Sequence, residues 1–176
     1  ASAQLSACAT FSEVQFHLPS DGSLAAPLVA QIKRMVERFR LRDGSGAMRV
    51  AMALDEALQN AMIHGNLEVS SKLREGDDAN AYYALASERR QQRPYMDRRV
   101  YVRALVNRDM AEITIRDEGP GFNPGAIPDP TDPAYLDRPC GRGLWLIHAF
   151  MDEVRHNATG NEITMTLRRE SKKSAP

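Results

Sequence analysis

Between Asp55 and Asn66 the chain reads DEALQNAMIHGN, which sets a carboxylate (Glu56), a carboxamide (Asn60) and an imidazole (His64) four residues apart among Ala, Leu, Met and Ile. Four residues are slightly more than one α-helical turn, so each step drifts about 40° around the axis and the three side chains share one face. Two further stretches carry chemistry. IRDEGPGFNP places Asp117 at the end of a β pattern, and Gly119 and Gly121 let the backbone turn tightly against its neighbour. CGRGLWLIHAF sets Gly141, Arg142 and Gly143 before a strongly apolar helix, so free backbone N–H groups are exposed at a helix N-terminus. Such a site favours phosphate, and Arg142 adds a bidentate donor. Each stretch also has a plainer reading: a polar stripe on an ordinary amphipathic helix, a solvated turn aspartate, or a flexible linker to a buried helix.

The elements that must position these residues are written in the hydrophobic pattern. From Glu13 to Leu18, Val14, Phe16 and Leu18 alternate with polar side chains and then meet Pro19, Asp21 and Gly22, as a strand running into a turn. From Leu24 to Leu41 the residues Leu28, Ile32, Met35, Val36 and Phe39 recur at helical spacing, predicting an amphipathic helix stopped near Asp43-Gly44-Ser45-Gly46. A second helix begins after Ser45, carries Glu56 to His64 and ends around His64-Gly65-Asn66. Residues 68–99 are polar and read as an inserted helical hairpin arm, helical from Ala79 to Gln92 and ended by Pro94. Arg89, Arg90, Arg93, Arg98 and Arg99 make it the most basic part of the chain, either a solvated helix face or a docking surface for an acidic partner or nucleic acid.

Val100 to Val106 and Ala111 to Arg116 then read as strands joined by a hairpin turn around Asn107 to Met110. Asn123 to Pro139 holds five prolines and almost no hydrophobic periodicity, which predicts a long lid or binding loop. After the apolar helix, Glu153 to His156 and Asn161 to Arg168 finish the fold as a strand hairpin turned by Thr159-Gly160. Residues 1–10 and 169–176 are expected to be flexible ends.

At 176 residues the chain fits one domain, and 26% charged with 43% apolar residues is ordinary globular composition. Lys+Arg and Asp+Glu balance at 23 each, which argues against a dedicated nucleic-acid or membrane-surface binder. Cys8 and Cys140 form no framework or CxxC motif, and no signal peptide or long apolar run is present, so a cytoplasmic, disulfide-free protein is expected. The chain begins at Ala1 without Met, as a processed or excised part of something longer would.

In this order the polar helix, the strand-end Asp117 with its glycines, the lid and the GRGL helix start resemble the N, G1 and G2 boxes of the GHKL ATPase superfamily, whose Bergerat ATP-binding fold is shared by gyrase B and histidine-kinase catalytic domains. DEALQNAMIHGN is most similar to the bacterial anti-sigma-factor serine/threonine kinases, whose pattern there is E-A-x-x-N-A-x-x-H. GRGLWLIHAFMDEV is similar to their G-R-G-L-x-L-I-x-x-x-M-D-E-V, and the resemblance spans roughly residues 11–168. It implies an α+β fold: a two-layer α/β sandwich with a mixed, mostly antiparallel sheet, helices on one face, and ATP between the helices and a lid.

The resemblance also assigns roles. Asn60 would hold Mg2+ bridging the ATP phosphates, and Glu56 would accept the proton of an attacking serine or threonine hydroxyl. Histidine kinases typically carry Asn or another residue where Glu56 stands, so the carboxylate points toward transfer to a hydroxyl. His64 would pack near the nucleotide or make a structural hydrogen bond at the helix end. Asp117 would accept the adenine 6-amino group, and Gly119 and Gly121 would let the base lie against the backbone. Arg142 and the N–H groups of Gly141, Gly143 and Leu144 would take the phosphates. Two features depart from the family pattern: Gly160-Asn161 stands where a Thr often follows the Gly, and the segment between Asn66 and Val100 is longer than in the compact kinases.

The implied cofactors are ATP and Mg2+. The implied partners are a STAS-type anti-sigma-factor antagonist as substrate, a sigma factor, receiver and phosphatase modules, and a second copy in a homodimer, with no direct nucleic acid and no membrane. The alternatives are an ATP-dependent partner-binding module with little kinase activity, or a separated histidine-kinase catalytic domain, which the lack of a candidate phosphoacceptor helix counts against.

Overall fold

The computed structural model describes residues 8–74, 79–126 and 142–170. Five strands form one sheet: β1 (Phe11–Pro19), β2 (Arg99–Asn107), β3 (Met110–Arg116), β4 (Glu153–His156) and β5 (Glu162–Arg168). Their spatial order is β1-β2-β3-β5-β4, and every pairing is antiparallel. The sheet is fully antiparallel among the described residues, in keeping with the mostly antiparallel sheet expected of the α+β sandwich. Two tight hairpins, β2–β3 and β4–β5, account for two of its four pairings.

Alternation decides which face is buried. Val100, Val102, Ala104 and Val106 on β2, Ala111, Ile113 and Ile115 on β3, and Ile163, Met165 and Leu167 on β5 all point to one side and are buried. The register stacks them in rows, with Val102 opposite Ile115 and Ile113 opposite Met165. Over this face lie α1 (Ala25–Arg38), α2 (Gly44–Gln59) and α4 (Arg142–Phe150). Leu28, Ile32 and Val36 of α1, Val50, Leu54 and Leu58 of α2, and Ile147 of α4 complete the same core. Each fully buried aliphatic side chain stabilises the sandwich by roughly 1.5–3 kcal/mol.

The opposite face of the sheet carries the polar alternates. Glu13 pairs with Arg103 at 2.8 Å, Arg103 with Glu112 at 3.6 Å, and Glu112 with Arg155 at 3.9 Å. Glu153 then joins Arg155 and Arg168 at 3.4 Å each, so the charges cross all five strands. These pairs are solvent-facing and contribute little stability one by one, but they keep the outer face wet.

Local chemistry shifts several boundaries. Asp43 accepts the Gly46 N–H at 2.7 Å and caps α2, so the helix starts before Ser45. At Asn60 the helix widens into a π turn, Asn60–Asn66, in which the Leu67 N–H donates to the Met62 carbonyl five residues back at 3.1 Å. The insertion is not a free hairpin arm. Its helix α3 (Ala79–Arg89) stops before Gln92, and Tyr82 and Ala86 pack on Leu67 and Val69 in a second small core.

Two of the insertion's arginines also turn inward rather than forming a solvated face. Arg89 donates to the Leu67 and Glu68 carbonyls at 2.7 Å each. Arg98 pairs with Glu68 at 2.7 Å, and both guanidinium groups lie over the Tyr95 ring at 4.9 and 5.1 Å. Arg90 and Arg93 remain exposed. No described helix is long and apolar enough to cross a membrane.

One ion pair ties the helix layer to the end of α4. Arg42 Nη2 donates to both oxygens of Asp152 at 2.8 and 2.7 Å, and Asp152 also accepts the Arg168 N–H at 2.6 Å. Asp152→Ala strips a partly buried guanidinium of its main partner and is expected to cost about 2 kcal/mol. For a chain of this size that lowers the Tm by about 4–8 °C, read by thermal unfolding; an unchanged Tm would show the pair to be ornamental.

Candidate active site

Glu56 and Asn60 stand one turn apart at the C-terminal end of α2, and the first turn of α4 packs directly on them. A Cβ at Gly143 would lie 2.5 Å from Glu56 Oε2 and 3.8 Å from Asn60 Nδ2, so the α4 backbone comes this close to the Glu56 carboxylate only while residue 143 carries no side chain or the carboxylate moves aside. Both polar side chains are half-buried, and among the described residues neither is held by a hydrogen bond or ion pair. The structure thus brings together a carboxylate, a carboxamide and the start of a helix. Gly143→Ala is expected to displace the Glu56 carboxylate while leaving the fold within about 1 kcal/mol of wild type, because the atom it meets ends a flexible side chain. Thermal unfolding and a crystal structure of the variant would check both parts.

Asp117 closes β3 and is only 8% exposed. Its Oδ1 accepts the Gly119 N–H at 2.8 Å, its own N–H donates to the Asn161 carbonyl at 2.9 Å, and its carbonyl accepts Asn161 Nδ2 at 3.0 Å. A Cβ at Gly65 would meet the Asp117 carboxylate at 2.3 Å, so the π turn presses its backbone against this side chain. Burial pushes the Asp117 carboxyl up to about 6, against the Gly119 N–H and the positive fields of Arg98 and Arg116, which pull it down.

The neighbouring glycines serve close approach of the chain to itself. The Gly119 Cβ position is filled by the Gly65 carbonyl at 2.2 Å. Gly121 has φ +73° and Gly160 φ +77°, and a Cβ on Gly121 would meet the Thr159 carbonyl, and one on Gly160 the Phe122 carbonyl, at 2.1 Å. Asn161, in place of the family's Thr, is drawn into this joint and also accepts Asn157 Nδ2 at 2.8 Å.

His64 leaves the line of Glu56 and Asn60. Its Nδ1 is bonded to the Val69 carbonyl at 2.6 Å, and its ring faces Tyr82 at 6.3 Å, on the side of the insertion. The π turn is the cause: about four and a half residues per turn make a step of four fall short of a full turn instead of exceeding it. Leu144 packs against the main core. Arg142 opens α4; its side chain, Gly141 and residues 127–139 of the lid expected from Asn123 to Pro139 lie outside the described residues. Sequence reasoning missed Asn66, which is wholly buried between β1 and the Asp117 loop. The available signal was an Asn set between a helix end and the apolar Leu67 and Val69.

An open antiparallel sheet with helices on one face, a polar helix end under a glycine-started helix and a buried strand-end aspartate define an ATP-binding domain of the GHKL type. Residues 18–167 match the family described as Histidine kinase-like ATPase domain, and the chain belongs to that family. No curated protein matches the chain in sequence. Among solved structures it is similar to the RsbU and RsbW domains of Rv1364c from Mycobacterium tuberculosis, at 16% identity and a TM-score of 0.49, covering 90% of this chain and 32% of that one. The chain thus spans about a third of the length of that chain.

Proposed function

We propose that the protein is an ATP- and Mg2+-dependent serine/threonine kinase of the anti-sigma-factor type, acting on a STAS-type anti-sigma-factor antagonist. The observation that supports it most is the Glu56 carboxylate, one turn from Asn60 and against Gly143, with no partner of its own among the described residues. The donor set fits the ligands. Among the described residues no group of three His, Cys, Asp or Glu side chains is placed to hold a metal. A magnesium ion here would be held by the Asn60 carboxamide oxygen together with phosphate and water, ligands this hard ion favours. When bound it supplies charge neutralisation at the phosphates.

Glu56 takes the proton of the substrate hydroxyl as that oxygen bonds to the γ-phosphorus and the bridging oxygen leaves with ADP. Asp117 accepts the adenine 6-amino group through a carboxylate whose Oδ1 is already fixed by Gly119. The N–H groups of Gly143 and Leu144, with Gly141 and Arg142, take the phosphates. Sequestration of a sigma factor, a homodimeric state, control by phosphatase and receiver modules and a cytoplasmic setting belong to the same reading.

ATP with Mg2+ at a hundredfold excess over its Kd stabilises a single-site protein by about 2.7 kcal/mol, a rise in Tm of roughly 5–11 °C, and GTP is expected to give far less. A STAS-type antagonist protein is expected to be captured only when ATP and Mg2+ are present. No thermal shift at millimolar ATP would overturn the nucleotide assignment, and capture indifferent to ATP would overturn the partner assignment.

A further inference from the structure

Asn66 is fully buried, and both polar atoms of its side chain and its main-chain carbonyl are hydrogen-bonded. Its Oδ1 accepts the Glu118 N–H at 2.8 Å, its Nδ2 donates to Ser20 Oγ at 3.1 Å, and its main-chain carbonyl accepts Arg98 Nη1 at 2.7 Å. The Glu118 N–H belongs to the peptide that follows Asp117, so this bond fixes the plane carrying the Asp117 carbonyl. One residue earlier, the Gly65 backbone fills the space beside both the Asp117 carboxylate and Gly119. The segment Gly65-Asn66 and the loop Asp117–Gly119 are thereby fastened together. Ser20, at the end of β1, and Arg98, at the end of the insertion, hold Asn66 from behind.

We propose that Asn66 is the positioning residue for base recognition: by fastening the Asp117 loop to the π turn it aims the Asp117 carboxylate and so sets the preference for ATP over GTP. The inference rests on the reading of Asp117 as the acceptor for the adenine amino group. Without the Asn66 amide the Glu118 N–H loses its partner, and the inner side of the loop is no longer tied to Gly65. The Arg99 N–H and the Tyr101 hydroxyl still donate to the Glu118 carboxylate, so the loop stays attached to β2 while its face toward the base is released.

The test is calorimetric titration of ATP and GTP with Mg2+ at pH 8 into wild type, Asn66→Ala, Asn66→Asp, Ser20→Ala and Asp117→Asn. Asn66→Ala is expected to weaken ATP about tenfold, the worth of one hydrogen bond that orients a charged acceptor, while GTP changes less than about twofold because it draws nothing from Asp117. Asn66→Asp keeps an acceptor for the Glu118 N–H, can take a hydrogen from Ser20, and is expected to restore most of the preference. Ser20→Ala, which removes only the far anchor, is expected to lose about threefold in ATP alone and carries the test if Asn66→Ala does not fold.

Equal losses for ATP and GTP, or an unchanged ratio in both Asn66→Ala and Ser20→Ala, would overturn the positioning role while leaving Asp117 in place. A wild type that binds ATP with no preference over GTP would overturn the base reading and this inference with it.

Discussion

Glu56→Gln is expected to leave ATP and Mg2+ binding within about threefold of wild type while slowing phosphoryl transfer by about 10² to 10⁴, the usual worth of a general base. The carboxamide has the shape of the carboxylate, so the contact with the α4 backbone at Gly143 is kept. What it loses is the capacity to accept a proton. Asn60→Ala acts differently, since it removes the oxygen offered to the metal and should weaken Mg2+-ATP binding itself. Two substitutions one turn apart on α2 therefore separate chemistry from binding: rapid-quench kinetics on Glu56→Gln and calorimetry on Asn60→Ala read the two effects. Equal defects in both assays for both variants would mean that the helix end acts only as a scaffold.

Asp117→Asn is expected to abolish the preference for ATP over GTP and, at the same time, to stabilise the nucleotide-free protein above pH 6. The sign follows from linkage. Burial raises the folded-state carboxyl from its ordinary 3.8 to about 6, so between these values the folded state binds the proton that the unfolded state has lost. Stability conferred by this group is complete below about pH 4 and falls as pH rises through about 6. Removing the charge relieves a penalty of up to about 3 kcal/mol at pH 7. The ionised carboxylate is the better acceptor for an amino group, so the ATP affinity of wild type rises from pH 5 to 7, and that of Asp117→Asn stays flat. Denaturant titrations and nucleotide calorimetry at four pH values measure both trends; a wild-type affinity independent of pH would remove Asp117 from the base site.

How far the sequence reveals this site depends on the range of the interactions concerned. Val14, Phe16 and Leu18 in β1, and Leu28, Ile32 and Val36 in α1, follow periods of two and 3.6, and the structure buries or half-buries those positions. Glu56 and Asn60 share a face for the same reason, and the GRGL signature announced the helix that covers them. The π turn was not legible, because NAMIHGN suits a normal helical turn as well as a wide one; the geometry is set by distant partners of Asn66, 46 and 52 residues away in the chain. Charge composition showed how many arginines the insertion carries, not their direction; the Leu67 and Glu68 carbonyls turn Arg89 inward, the Asn66 carbonyl and the Glu68 carboxylate turn Arg98 inward, and Tyr95 lies under both. Asp43 and Ser45 both suit a helix cap, and only the bond to the Gly46 N–H chooses between them.

The measurement closest to the central claim is transfer of labelled γ-phosphate from ATP to a STAS-type antagonist protein, with the product's chemistry read by its stability and by peptide mass spectrometry. Wild type with Mg2+ is expected to place an acid-stable phosphate on a serine or threonine of the antagonist, and Glu56→Gln to do so at least a hundredfold more slowly. An acid-labile phosphate on histidine, or ATP-dependent binding of the antagonist with no transfer at all, would contradict it.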